Sequence, residues 1–289
     1  MGGSYTVFWK LLKKDLKRKK VMNIVLFLLI IMASMFVASS TNQMYSTSVA
    51  IQSFIDQSRV ADLNALIANT DEENKRVEVW SKSEKTIMNT YSQLQIGVLS
   101  KDITVPKNRK NFSGNAGLVL STIPKDINLV FGEDDQQFEL NQGELAIPIG
   151  LMNRTGLQAG DLLTINLEGT NKIFTVTHFF KDAYMGSDLL SFKRILISEQ
   201  DFSDLQKVIP AELMSKLWSF NANSTFQREL VSAFSKQNFT STIVIEKQLV
   251  AMSYLTDQIL SAILFVISLF LIFNRIFNTA FYHCFYTAK

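Results

Sequence analysis

Two apolar segments at opposite ends of the chain, residues 21–38 and 259–273, bracket a long polar stretch, and this layout constrains the fold more than any motif does. The first, VMNIVLFLLIIMASMFVA, carries no charge and gives way to the small polar run Ser39-Ser40-Thr41-Asn42. It approaches the roughly 20 apolar residues that a helix needs to cross a hydrocarbon core, so a transmembrane helix is predicted over residues 21–40. Ahead of it stand Lys10, Lys13, Lys14, Lys17, Arg18, Lys19 and Lys20 against a single Asp15. By the positive-inside bias this end stays in the cytoplasm, which places the polar stretch outside the cell.

A cleaved signal peptide is the competing reading of the first segment, but the run exceeds the ~7–15 residues of a signal-peptide core and lacks a small-x-small cleavage site. Tyr5, Phe8, Trp9, Leu12 and Leu16 fall on one helical face. Residues 1–20 are therefore expected to form a basic amphipathic helix lying on the inner leaflet of the lipid bilayer.

The whole-chain figure of 47% hydrophobic residues averages two unlike populations. Between residues 41 and 256 the sequence holds 20 Lys and Arg against 24 Asp and Glu, so the net +3 comes from outside that stretch. A mildly acidic external domain gives no support to nucleic-acid binding. The single cysteine, Cys284, lies beyond the second apolar segment, and a domain of this size without disulfides fits a bacterial cell surface better than a eukaryotic ectodomain. Four N-x-S/T sequons, at Asn111, Asn153, Asn223 and Asn238, are near what chance gives.

Along the domain, residues 61–68 read as a strand, 71–85 as a helix with Asp71 as its N-cap and acidic residues in its first turn, and 89–99 as a second strand. After a basic loop at 106–115, short strands are expected near 116–122, 129–131 and 137–140. Residues 144–148 lead into a short helix over 149–154 ended by Gly156, and Gly160-Asp161 turns the chain into a strand pair, 162–167 and 172–180. Further on, RILISEQDFSDLQKVI reads as strand and helix and KLWSFNAN as a strand. A Ser/Thr-capped helix follows with Phe226, Leu230, Val231 and Phe234 on one face, and FTSTIVIEK closes the domain. The expectation is an α+β fold, a mixed sheet built from small β-α-β lobes and flanked by two transmembrane helices.

This order of parts resembles the FtsX-like, MacB-type permeases of bacterial ABC transporters. The strings KDLKRKKVMN before the first span, GELAIPIGLMNRTGLQAGDLLTI, FTVTHFFKDAYMGSDLL and RILISEQDF carry the resemblance, which covers the chain to about Leu271. It implies a multi-pass protein of the cell membrane and a permease subunit that couples a cytoplasmic ABC ATPase mechanically to an external domain, with a second permease copy as further partner. In these terms residues 41–58 and 248–258 are stalks, 59–247 the external core domain and 259–277 the second span. Residues 278–289 form an aberrant tail, because Asn274 and Arg275 interrupt the apolar run. Codon degeneracy lets the residues from Ile272 onward continue that run in a shifted reading frame, so a truncated permease is the expectation, one lacking the spans that meet the ATPase.

The sequence offers no catalytic, cofactor-binding or metal-binding residues to name. There is no G-x-x-x-x-G-K-[ST] to cradle a nucleotide, and no G-x-S-x-G, H-E-x-x-H or paired cysteine, so an enzyme is not expected. His178, alone in a predicted strand, reads as a packed or edge residue rather than a ligand. Glu133-Asp134-Asp135 lacks the alternation of an EF-hand and reads as a solvated turn rather than a calcium site. Two other functional classes share the layout: the two-span sensor of a chemoreceptor or histidine kinase, and a surface-anchored structural or adhesive module.

Overall fold

The computed structural model describes residues 20–112, 117–190, 192–223 and 227–286, with some helical side chains left out. The amphipathic helix expected over residues 1–20 lies almost wholly outside the described residues. Two compact units are distinguished, one up to Ala50 and one from Ile51 onward. The first holds helix α1 (Lys20–Gln57) as far as Ala50, and in that part Phe27, Ile31, Met35, Met44 and Val49 are exposed.

The second unit is built on one sheet of eleven strands: β1 (Leu63–Ala68), β2 (Ile87–Val98), β3 (Ile103–Thr104), β4 (Gly117–Ser121), β5 (Val130–Gly132), β6 (Glu144–Pro148), β7 (Leu162–Leu167), β8 (Thr170–Asp182), β9 (Phe192–Ile197), β10 (Met214–Ala222) and β11 (Ser241–Glu246). Their order is β11-β1-β10-β2-β4-β9-β6-β8-β7-β3, with β5 also on β8. The pairs β4–β9 and β6–β8 are parallel and the others antiparallel. The mixed α+β sheet thus agrees with the sequence pattern. The β-α-β start is split, because β10, which comes late in the chain, inserts between β1 and β2 and pairs with both.

Register sorts the strand residues onto two faces. Leu63, Ala65, Ile67, Trp218, Phe220, Ile96, Leu118 and Leu120 share the first. Helices α2 (Asp71–Ser83) and α5 (Gln227–Ser235) cover one end of it through Val77, Trp80, Leu230 and Phe234. Helices α3 (Ile149–Thr155) and α4 (Glu199–Gln206) cover the other through Leu151, Phe202 and Leu205. Trp80 meets Phe220, Phe234 and Phe239 edge-on at 5.3–5.6 Å, a geometry in which ring edges face ring π-clouds.

Local signals were read with mixed success. Helix α3 ends at Gly156, whose φ of 72° is the left-handed conformation that glycine adopts without steric cost, and the β7–β8 hairpin forms with a two-residue turn at Glu168-Gly169 in place of the expected 168–171 connection, Thr170 and Asn171 pairing within the ladder. The cap of α2, however, is Thr70, whose hydroxyl accepts from Glu73 N–H at 3.2 Å; Asp71 is the first helical residue and acts on the helix dipole instead. Residues 137–140 form no strand: Phe138 and Leu140 pack against the Val130–Phe180 cluster by side chain, without a ladder. Phe226 lies outside the described residues, while Leu230 and Phe234 are buried as the helical face predicts.

The chain leaves β11 directly into α6 (Lys247–Tyr286), a helix of 40 residues and hence about 60 Å long. Its segment Lys247–Ile272 is the one stretch among the described residues that is long and apolar enough to cross a membrane. Ile259 to Ile272 present their large side chains outward, a surface that water disfavours and lipid tolerates.

Candidate functional site

The second face of the sheet differs in kind from the first. Leu66, Leu217, Val119 and Leu196 alternate there with Asn64, Ser219, Gln93, Gln95, Ser121 and Arg194. Ile55, at the base of α1, and Val250, in the first turns of α6, are fully buried against it together with Tyr184 and Met185. The bases of both long helices therefore rest on this face.

A chain of buried polar contacts joins them. At the α1 side, Asn128 N–H donates to Arg59 O at 3.1 Å, its Oδ1 accepts from Ala61 N–H at 3.1 Å, and Leu129 N–H reaches Ser58 O at 2.7 Å. The Asn128 amide nitrogen donates to Asn64 Oδ1 at 2.8 Å and Ser219 Oγ at 3.0 Å. Asn128 sits at φ 53°, a left-handed conformation that asparagine tolerates better than most residues. Its carbonyl accepts from Arg194 Nη2 at 2.7 Å.

Arg194 and Asp182, both fully buried, form a bidentate pair, Nε–Oδ2 at 2.6 Å and Nη2–Oδ1 at 2.9 Å. Asp182 Oδ1 also accepts the backbone N–H groups of Tyr184 and Met185 at 3.0 Å, so the carboxylate is well satisfied away from water. The Asp182 carbonyl takes the Tyr254 hydroxyl of α6 at 2.6 Å. This contact passes directly over Gly186, where a Cβ would stand 2.1 Å from Asp182 O and 2.4 Å from Tyr254 Oη; no side chain fits.

The loop 183–190 is held by Lys193. Its ammonium is buried and donates to the carbonyls of Met185 at 2.8 Å, Leu190 at 3.2 Å and Ser187. Burial pushes the Lys193 pKa down, and the nearby carboxylates of Asp188, Asp182 and Asp257 oppose that. The loop in turn grips α6: Ser187 Oγ and Asp188 N–H both donate to Asp257 Oδ2, at 2.8 and 3.1 Å. A more exposed contact, Lys247 Nζ to Asp56 Oδ1 at 3.0 Å, ties the first residue of α6 to the last turn of α1, and Gln52 and Lys247 together hold the Asp56 carboxyl below its usual range. These contacts join the bases of the two long helices to the sheet and to the 183–190 loop.

The residues singled out in the sequence are elsewhere. His178 stacks on Phe138 at 5.1 Å and its Nδ1 pairs with Thr177 Oγ1 at 2.9 Å. In the 133–135 turn, Lys181 Nζ takes the Glu133 carbonyl at 3.0 Å and the Asp135 carboxylate at 2.7 Å, while Asp134 Oδ1 accepts Gln136 N–H. No group of three or more His, Cys, Asp or Glu able to hold a metal occurs among the described residues. Asn128, Asp182, Lys193, Arg194, Tyr254 and Asp257 were not singled out. The one signal available was Lys193-Arg194 inside the otherwise apolar strand FKRILI, where two charges must find buried partners.

No known family model matches the sequence, and no curated protein does. Among solved structures, a domain of a permease protein from Porphyromonas gingivalis matches 63% of this chain and 85% of its own length, at 10% identity and a TM-score of 0.33. A likeness that loose carries no weight for fold or function.

Proposed function

We propose that this chain is a permease subunit, or the N-terminal portion of one, of a bacterial ABC transporter of the FtsX-like, MacB type, and that it couples a cytoplasmic ATPase mechanically to an external domain. One observation carries the reading. Helix α6 runs without a break from strand β11 into its apolar segment, and its first turns are fixed to the sheet by Val250, Tyr254 and Asp257. A rotation or axial shift of such a helix has no slack in which to dissipate, so it moves β11 and the 183–190 loop with it. The Asp182–Arg194–Asn128 relay passes the load to the base of α1. Supported on two helix bases, the sheet domain is suited to respond to membrane-side motion and not to turn over a substrate.

The test has two arms. Sequencing the gene and its neighbours is expected to show an adjacent ABC ATPase and further apolar spans downstream; a charged heptad region there instead would overturn the reading in favour of a two-span sensor. In intact cells, a cysteine placed at Lys107 is expected to react with an impermeant thiol reagent and one at Lys14 to be protected. Labelling at Lys14 would refute the orientation.

A further inference from the structure

The sheet domain releases helix α6 where the helix turns apolar. Val250 and Ser253 are buried against the domain and Tyr254 and Asp257 are bonded to it, whereas every residue from Gln258 to Ile272 is exposed. The apolar run begins at Ile259, two residues and about 3 Å of helix rise beyond Asp257. No spacer separates the domain from the segment suited to lipid.

The part of the domain that meets Asp257 is the loop 183–190, through Ser187 Oγ and Asp188 N–H. The next residue, Leu189, is 50% exposed, although Ala183, Tyr184, Met185 and Ser187 in the same loop are buried. Helix α3 abuts this loop: a Cβ on Gly150 would lie 3.8 Å from Asp188 Oδ1 and 3.9 Å from the Gly186 carbonyl. Arg154 Nη2 lies 3.6 Å from Asp188 Oδ1, and with both groups exposed that pair is loose. Lys110 N–H donates to Thr155 O at 3.0 Å, which brings a second exposed cation beside Arg154. An exposed leucine with cations nearby, at the level where an apolar helix starts, has the composition of a membrane-interface surface.

We propose that the loop tip at Leu189 and the adjacent end of α3 rest on the outer leaflet of the bilayer, with Leu189 in the headgroup zone and Arg154 and Lys110 on lipid phosphates. That zone is ~5–7 Å deep on each side of the hydrocarbon core. The loop tip falls within this depth, because Leu189 follows directly on the residues that hold Asp257. Headgroups and water can satisfy the polar backbone of a loop there, which hydrocarbon cannot. A protein partner would have to fit between the domain and the bilayer, and about 3 Å of helix beside this loop leaves it no room. The contact surface is continuous with the exposed apolar side of α6. It would hold the domain at a fixed tilt to the membrane, so that Tyr254 and Asp257 meet a loop that is itself supported. The inference rests on α6 crossing a membrane, which is part of the function proposed above.

The test uses the full chain carrying Cys284→Ser, in nanodiscs of phosphatidylcholine and phosphatidylglycerol. One nitroxide spin label at a time is attached through Leu189→Cys, Val79→Cys or Phe265→Cys. Val79 is exposed on α2, which covers the opposite face of the sheet, and Phe265 is exposed within the apolar run. For each label, collisions are measured with oxygen, which concentrates in lipid, and with a water-soluble nickel complex. The Leu189 label is expected to show more oxygen and fewer nickel collisions than the Val79 label, with Phe265 further in the same direction. Arg154→Glu combined with Lys110→Glu should shift the Leu189 values toward those of Val79. All five side chains are exposed, so none of these changes removes core packing. Leu189 matching Val79 while Phe265 reads as lipid overturns the contact and leaves the span standing, and so does a Leu189 label poor in both collisions, which reports burial in protein. Phe265 matching Val79 overturns the span and the contact with it. Unchanged Leu189 values in the charge-reversed variant overturn the phosphate contacts.

Discussion

The two faces of the sheet solve the same burial problem with opposite chemistry. The helix-covered face is mainly apolar, with an aromatic cluster at Trp80, Phe220, Phe234 and Phe239, and its stability comes chiefly from non-directional burial and close packing. The face that receives the two long helices is threaded by Asn64, Asn128, Ser219, Arg194 and Asp182, each held by directional bonds of defined length. An apolar contact slides at little cost; a buried bidentate pair has one good geometry and a steep penalty on either side. The comparison teaches that this protein concentrates directional bonds where the two long helices meet the sheet and relies on plain burial on the other face.

The largest effect expected from breaking this contrast is at Arg194. Arg194→Met leaves the Asp182 charge buried and unpaired and should cost about 3–5 kcal/mol in denaturant unfolding, whereas replacing both partners by apolar residues should recover much of that loss. If the single change costs no more than an exposed ion pair, the polar face is not the rigid one. Gly186→Ala comes next. Its methyl group must push Tyr254 off the Asp182 carbonyl, and a loss of about 1–3 kcal/mol is expected, with faster hydrogen exchange at the 183–190 loop and little change in the Trp80 cluster.

Acid should act on the opposite region. At Asp201 burial raises the carboxyl pKa, but bonds from Ser198, Lys172 and Gly143 N–H outweigh it and hold the group below its usual range. Asp161 is held down in the same way by Arg109 and Gln158 N–H against its burial. Because both folded values lie below the unfolded value of about 3.9, their contribution is complete above that pH and is lost as pH falls through the folded values. Melting curves of Asp201→Asn should therefore show a shallower decline in acid than the parent protein. The smallest effect is at the α2 cap: Thr70→Ala should cost about 1 kcal/mol and Asp71→Ala less, and the reverse order would mean that the cap was misidentified.

How far the sequence foretold this depends on the range of the interaction involved. The β7–β8 hairpin, the stop at Gly156 and the face of Leu230 and Phe234 were legible because a turn, a cap and a helical stripe are local. Strand β1, LNALIA, was recognised as a strand, yet its near-complete burial on both faces hid which residues face the helices. The insertion of β10 between β1 and β2 left no trace in either segment, since pairing over such a separation is chosen by the whole sheet. The candidate site was almost invisible: nothing local marks Asn128, Asp182, Tyr254 and Asp257, because their partners lie far along the chain.

What the sequence by itself determined is most of the elements, the apolar segments at both ends and the absence of enzyme or nucleotide-binding motifs, because composition and short-period patterning are properties of neighbouring residues. Only the tertiary structure decided that the two helix bases share one sheet face, and that Asp182, Arg194, Asn128 and Tyr254 form one path between them. Hydrogen bonds between residues 66 and 72 positions apart, such as Arg194 to Asn128 and Tyr254 to Asp182, exist only after the chain has closed its loops around a common core.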